Sequence, residues 1–193
     1  MDKNSANADR NISITRIAMI AALYAALTML TLTFLQGFAW GPVQFRVSEA
    51  LCILALFTPA AIPGLTLGCI LANLLGILLV GSGPLGLLDV FFGSMATLLG
   101  SLWMWHFKDR KPLALLGPVV TNALIVSAYL PLMLAALGFY TIPFTTIDLA
   151  GTWPAMYIFG FICIATGEAI VVYGMGWPLA KMLESSGFAD KLR

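Results

Sequence analysis

Charged residues and histidine are scarce in this chain. Of its 193 residues only 10% are charged and one is histidine, whereas 60% are hydrophobic and the mean hydropathy is +0.94. A soluble domain carries about 25% charged residues, so the composition excludes an ordinary soluble protein and indicates a polytopic membrane protein. The net charge of +1 provides no basic surface for nucleic acid, and we predict no nucleic-acid partner.

The sequence signatures of common enzyme sites are also missing. The chain contains no GxxxxGK[ST] phosphate loop, no HExxH motif and no GxSxG motif. Its three cysteines, Cys52, Cys69 and Cys163, lie in apolar segments without the paired spacing of a metal site. We therefore predict no catalytic residue, no metal and no cofactor. ATP hydrolysis, if the protein depends on it, is expected on a partner.

Apolar segments dominate what is present. A membrane span needs about 20 mostly apolar residues, and we predict one all-α membrane domain over 1–193 with six spans, at 13–36, 48–60, 63–81, 85–107, 113–137 and 153–180. The second span is short, because Pro59 and Pro63 closely follow its apolar run Val47–Thr58, and it fits a tilted or partial helix. The first 16 residues are polar, and the apolar run Ile17–Leu35 that follows is longer than the core of a signal peptide, so we interpret it as a span.

Basic residues cluster in three places: the N-terminal tail, the turn 108–112 and the C-terminal tail. Under the positive-inside rule all three lie on the cytoplasmic side of the membrane. Because both termini are then cytoplasmic, the number of crossings is even. Six spans satisfy this requirement and five do not.

Four carboxylates interrupt the apolar segments or lie at their edges: Glu49, Asp89, Asp148 and Glu168. An ionisable group at bilayer depth costs about 2.5 kcal/mol or more, and its default interpretation is a functional site that faces a cavity. Counting residues from the predicted span ends spreads the polar groups from the outer mouth to mid-membrane, with Asn73 in the outer half of its span and Asn122 in the inner half of its own. Arg46 is the one strongly basic residue near these polar groups in the predicted outer part of the membrane domain. The pattern predicts an outward-facing pocket for a polar solute.

Structural roles remain open for each of these groups. Arg46 and Glu49 are spaced to pair across a helix start, and the two asparagines are suited to hydrogen bonding between helices. Glu168 is either a ligand group or paired inside the bundle. Asp148 lies in a predicted loop, where a solvated or turn role is the simpler interpretation.

Aromatic residues gather near the predicted outer mouth. The first outer loop holds Phe38, Trp40 and Phe45, the last holds Phe139, Tyr140 and Phe144, and Trp153 begins the sixth span. They fit either an interfacial aromatic belt or a lid that stacks on a planar ligand.

A stripe of small residues runs along the first span at Ala18, Ala22 and Ala26. Small residues let helices approach closely in lipid. The stripe fits either internal helix packing or an external contact with a partner.

Longer stretches of sequence resemble a known family. The alanine stripe is of the AxxxA kind found on the first helix of the S components of energy-coupling factor (ECF) transporters, which are six-span substrate-binding subunits. More specific are the stretches VQFRVSEAL (43–51), FTPAAIPGL (57–65), GCILAN (68–73) and LDVFFGS (88–94). With these the chain is similar to the QueT family, uptake subunits for queuosine precursors.

The resemblance implies a substrate, partners and a location. The substrate would be queuine or a related 7-deazaguanine, with Asp89 or Glu168 accepting from the guanine-like edge, an asparagine or Gln44 contacting the carbonyl, and aromatic rings stacking on the base. The partners would be a membrane coupling protein, which the alanine stripe would meet, and two cytoplasmic ATPases. The location would be a prokaryotic cell membrane.

Two alternatives remain at this point. One is an S component for another cationic heteroaromatic vitamin, such as thiamine. The other is a membrane scaffold or enzyme subunit without transport activity.

Overall fold

The computed structural model describes residues 3–34, 45–80, 83–136, 146 and 153–192. Every element in these ranges is helical, which confirms the all-α prediction. The elements are α1 (Lys3–Phe34), α2 (Val47–Leu56), α3 (Ala61–Val80), α4 (Gly83–His106), α5 (Lys111–Ala136), α6 (Trp153–Ser185) and α7 (Phe188–Leu192).

Five of the six predicted spans coincide with helices that are long and apolar enough to cross a membrane: α1, α3, α4, α5 and α6. The predicted span 48–60 differs. Its helical part, α2, has ten residues in 3-10 conformation. At a rise of about 2.0 Å per residue it extends over about 20 Å, which is less than the thickness of about 30 Å of a bilayer core. Pro59 and Pro63, which follow α2, restrict its continuation as one long helix.

Helices α1 and α3 run parallel and in close contact. A Cβ atom placed on Gly64 would lie 2.9 Å from Cβ of Ile20, and one placed on Gly68 would lie 2.7 Å from Cβ of Tyr24. The two glycines therefore allow a backbone approach that a larger residue would block. Because α1 and α3 point the same way, the chain has to return between them, and α2 lies in this return segment.

The remaining long helices pack as antiparallel neighbours. On α4 and α5, the Trp103 indole donates a hydrogen bond to the carbonyl of Leu113 (2.9 Å), and Thr121 donates to the carbonyl of Ala96 (3.0 Å). On α5 and α6, a Cβ atom on Gly160 would lie 2.8 Å from the side chain of Leu130. The apolar α2 lies inside this arrangement, with eight of its ten residues buried.

The polar part of α1 and the C-terminal helix α7 meet at one end of the bundle. Arg16 donates hydrogen bonds to the backbone carbonyls of Lys191 (2.6 Å) and Leu192 (3.0 Å). The α4–α5 turn lies at the same end, because Lys111 at the start of α5 pairs with Glu184 of α6 at 2.6 Å. We call this the basic end, since it brings together the charged clusters of the N-terminal segment, the turn 108–112 and the C-terminal segment.

Candidate functional site

A first polar cluster joins three helices around Asp89. Arg46, immediately before α2, donates from Nη2 to Oδ1 of Asn73 on α3 (3.2 Å) and lies 4.0 Å from Oδ2 of Asp89 on α4. Tyr129 on α5 donates to Oδ1 of Asp89 at 2.6 Å. The Asn73 amide also donates to the backbone carbonyl of Asp89 (2.7 Å). Both carboxylate oxygens of Asp89 thus already have a partner within the protein.

The local backbone at Asp89 departs from a regular α-helix. Residues Asp89–Gly93 form a π-helical turn within α4. Such turns insert an extra residue and often occur at functional sites. A Cβ atom on Gly93 would lie 3.3 Å from the Asn73 amide nitrogen and 3.6 Å from the Tyr129 hydroxyl. Because glycine has no side chain, the Asn73 amide and the Tyr129 hydroxyl can lie close to the backbone of α4 here.

Glu49 lies in a second cluster, apart from Arg46. Its side chain is fully buried on α2 and accepts hydrogen bonds from the Tyr24 hydroxyl on α1 and from the Cys52 thiol (3.0 Å). The Thr97 hydroxyl on α4 lies 3.3 Å from Oε1. The structure therefore corrects the expected pairing of Arg46 with Glu49, because Arg46 pairs with Asp89 instead. Glu49 ties α1, α2 and α4 together.

Glu168 forms a third cluster, at mid-depth between α5 and α6. Its Oε1 accepts a hydrogen bond of 2.6 Å from the amide of Asn122. Only 6% of Glu168 is exposed, so water does not readily reach its Oε2, and this oxygen has no hydrogen-bond partner among the described residues. Asn122 lies about 17 Å along α5 from Lys111, at the usual rise of 1.5 Å per residue. A second π-helical turn, Ile170–Gly176, follows Glu168 closely.

The first and third clusters meet at a small cavity. The described residues that line it are Arg46, Asn122, Val126, Ile164 and Glu168, and its volume is about 10 Å³. This volume holds about one water molecule. The expected outward-facing pocket is therefore present here only as a narrow polar gap with two apolar walls, too small for a fused-ring ligand.

A larger cleft of about 510 Å³ opens at the basic end. It lies between the end of α2, the α4–α5 turn and the Lys111–Glu184 ion pair. The ammonium group of Lys108 lies 3.6 Å from the centre of the Trp105 ring beside it. None of the buried carboxylates lines this cleft, so size alone does not identify the substrate site.

Several residues of the predicted lid cannot be placed. Gln44, Tyr140 and Asp148 lie outside the described residues, as do Phe38, Trp40, Phe139 and Phe144. Phe45 is half-buried directly before Arg46. Trp153 is 50% exposed at the start of α6, where it stacks on Tyr157 with 5.3 Å between ring centres. Neither Phe45 nor Trp153 lines the cavity.

Sequence reasoning missed the hydroxyl groups that hold the acids. Tyr129 and Tyr24 bind Asp89 and Glu49, and both lie well inside predicted spans. Tyrosine in a membrane protein is normally enriched at the interface. A tyrosine at mid-span was therefore the available signal. Val126 and Ile164, the apolar walls of the cavity, carried no signal that distinguishes them from other span residues.

The alanine stripe lies on the outside of the bundle. Ala18, Ala22 and Ala26 are exposed, whereas Ala21 and Ala25, on the neighbouring face of α1, are buried. Exposed Met19, Leu23 and Leu30 flank the stripe. Internal packing of α1 against α3 therefore uses a different face from the stripe.

Comparison with known proteins identifies the family. The family model described as "QueT transporter" matches residues 14–185, nearly the whole chain. The chain belongs to the QueT transporter family. Membership in QueT agrees with the polytopic helical architecture, and it makes the chain a member of a family of transporters.

A curated relative of this QueT member is the "Queuosine precursor transporter QueT" of Lactococcus lactis subsp. cremoris (strain MG1363). It is 38% identical over 104 residues, which cover 52% of this chain and 56% of the relative. The aligned part thus spans little more than half of the relative's length. No solved structure gives a significant match.

Proposed function

We propose that this protein is the substrate-binding membrane subunit of an ATP-driven ECF importer for a queuosine precursor of the 7-deazaguanine class. One observation carries the proposal. Polar side chains from two long helices, α5 and α6, and from the segment before α2 converge on a gap inside an otherwise apolar bundle, and one buried carboxylate oxygen there has no partner among the described residues. The family match and the name of the relative support the choice of substrate.

The chemistry of the gap suits a ligand rich in N–H donors. We assign substrate contacts to Arg46, Asn73, Asp89, Asn122 and Glu168. A 7-deazaguanine offers several N–H donors for carboxylate and amide oxygens and a carbonyl for an arginine or amide donor. Its ring is larger than the gap, so we expect the ring to lie outside it, beside Arg46 and Asp89, and only one substituent to enter the gap.

The roof of the site remains a proposal. Gln44, Phe45, Tyr140 and Trp153 come from the two segments that border the outer ends of the helices. We expect the aromatic rings to cover the flat face of the base, since stacked aromatic faces bind planar rings well.

Glu49 receives a structural role in this proposal. Its oxygens already accept from Tyr24 and Cys52, and its side chain is fully buried. A ligand would have to displace these donors before it could bind Glu49.

The partners would be a membrane coupling protein and two cytoplasmic ATPases. The exposed stripe Ala18, Ala22 and Ala26 would contact the coupling protein, because small side chains allow close helix contact in lipid. ATP hydrolysis would occur on the ATPases, and this chain itself would be a transport subunit without catalytic activity.

We also infer six crossings of a prokaryotic cell membrane, with both termini in the cytoplasm. The parallel orientation of α1 and α3 supports a return crossing that includes α2. The meeting of Arg16 with Lys191 and Leu192 at the basic end supports an even number of crossings. The positive-inside rule would place the basic end in the cytoplasm.

The direct test is ligand binding to the purified full-length chain in detergent. Calorimetry with queuine, the aminomethyl deazaguanine and the nitrile deazaguanine should give saturable binding of at least one of them. Thiamine, another cationic heteroaromatic, is the comparison ligand. Binding of thiamine but of no deazaguanine would overturn the proposed substrate class.

The transport role needs a second test in cells that cannot make queuosine precursors. Queuosine in tRNA should appear only when this chain, a coupling protein and active ATPases are expressed together with an external precursor. Equal incorporation with ATPases that cannot hydrolyse ATP would contradict the ECF mechanism.

A further inference from the structure

The three acids inside the bundle, Glu49, Asp89 and Glu168, differ in the hydrogen-bonding capacity they have left. Asp89 is held by Tyr129 and Arg46, and Glu49 by Tyr24 and Cys52. Glu168 is the exception, because Oε2 has no donor within the described part of the chain. A buried acceptor without a partner is rare and calls for an explanation.

No cationic side chain forms an ion pair with Glu168 within the described ranges. The ion pairs found there are Arg46–Asp89 and Lys111–Glu184. Arg46 lines the same cavity, but its guanidinium donates to Asn73 and lies beside Asp89. The gap therefore contains an acid with a free oxygen and a base that is already engaged.

The volume of the gap restricts which part of a ligand can reach Oε2. About 10 Å³ holds one group of the size of a water molecule. The edge of a fused ring is too large for it, whereas a terminal primary ammonium group is of the right size. The walls formed by Val126 and Ile164 are apolar, so Glu168 is the one anionic acceptor for such a group among the described residues that line the gap.

We propose that Glu168 binds a terminal primary ammonium group, so that the protein selects the aminomethyl deazaguanine over the neutral nitrile and over the secondary amine of queuine. This inference rests on the proposed function and names the preferred substrate within its class. A nitrile offers no donor to Oε2, and the amine of queuine is internal and carries a bulky ring. The assignment also changes the expected role of Glu168, from the guanine-like edge to the amine.

The test compares affinities for the three deazaguanines on each variant. The wild-type protein should bind the primary amine about 10- to 100-fold more tightly than the nitrile, as expected for one hydrogen bond to a charged group. In Glu168→Gln this ratio should fall to near one, and Glu168→Asp should restore part of it. Because the ratio is taken within one preparation, partial loss of folded protein does not change it.

Two further variants test whether the preference for the primary amine depends on the size of the gap and on Glu168 in particular. Val126→Ile adds one methylene group to the wall and leaves Glu168 intact, so it should weaken the primary amine more than the nitrile. Glu49→Gln changes a buried acid whose oxygens already have donors, and the wild-type ratio should be retained.

The possible failures are distinguishable. If the wild type binds the deazaguanines but prefers the nitrile or queuine, or if Glu168→Gln keeps the wild-type ratio, the ammonium site is refuted while the proposed function stands. If none of the three binds the wild type, the proposed function falls and the ammonium site with it.

Discussion

Replacing Tyr129 with phenylalanine removes one hydroxyl group from the cluster around Asp89. The hydroxyl donates a hydrogen bond of 2.6 Å to Oδ1 of Asp89. The ring itself packs 5.8 Å from the ring of Phe92, centre to centre, and this contact is retained in Tyr129→Phe. The substitution therefore isolates one hydrogen bond between α4 and α5.

The expected loss follows from the kind of bond. Hydrogen bonds to charged groups contribute about 1.5–3 kcal/mol, but interhelical bonds in a membrane protein average about 0.6 kcal/mol with a maximum near 1.7. The bond of Tyr129 is short, partly buried and directed at a carboxylate, so we expect about 1.5 kcal/mol, near the membrane maximum. At about 2–4 °C per kcal/mol for a chain of this size, the melting temperature should fall by about 3–6 °C.

The matched control is Tyr157→Phe on α6. The Tyr157 hydroxyl donates to the carbonyl of Leu124 on α5 at 3.3 Å, in an exposed position. Its removal should lower the melting temperature by only about 1–2 °C, the effect of about half a kcal/mol. Thermal unfolding of both variants in the same detergent measures the difference. Equal losses, or a larger loss for Tyr157→Phe, would refute the reasoning that the hydrogen bond from Tyr129 to the Asp89 carboxylate is stronger than an ordinary interhelical bond.

Three further predictions concern packing and surface contacts. Gly68→Ala should lower the free energy of unfolding by about 1–3 kcal/mol through overpacking, because the added Cβ would lie 2.7 Å from Cβ of Tyr24 on α1. The control is Gly76→Ala, whose added Cβ has its nearest neighbour at 3.7 Å and which should leave thermal unfolding unchanged. Ala22→Leu, on the exposed stripe, should abolish uptake in cells and leave ligand binding in detergent unchanged. Ala21→Leu, on the buried face of α1, should instead destabilise the fold. Equal loss of ligand binding in the two variants would contradict a docking role for the stripe. Lys111→Ala breaks an exposed ion pair and should cost less than about 1 kcal/mol, an effect that added salt should diminish.

Much of the architecture was predictable because the bilayer imposes a simple length rule. Each of α1, α3, α4, α5 and α6 has enough consecutive apolar residues to cross, and the predicted bounds of the long spans fall within a few residues of the observed ones, except at the ends of α1 and α6. The segment 48–60 is apolar as well, but hydropathy carries no information on its 3-10 conformation. Its short extent was already indicated by Pro59 and Pro63, whereas its conformation is visible only in three dimensions.

The residues of the candidate site were predictable from the sequence, but the contacts between them were not. Arg46, Asn73, Asp89, Asn122 and Glu168 stand out because polar residues are rare in apolar segments. Which of them meet depends on helix rotation and register, which the apolar pattern of a membrane helix leaves undetermined. The structure pairs Arg46 with Asp89 and Asn122 with Glu168.

The amino-acid sequence by itself determined that this chain is a helical membrane protein of the QueT type, because length, hydropathy and motif residues are properties of single segments. Only the tertiary structure decided that Glu49 and Asp89 are held by tyrosine hydroxyls, that one oxygen of Glu168 has no partner in the part of the chain the structure describes, and that the gap beside it has room for a single small group. These are contacts between residues distant in the chain, and they depend on how the helices rotate and approach one another.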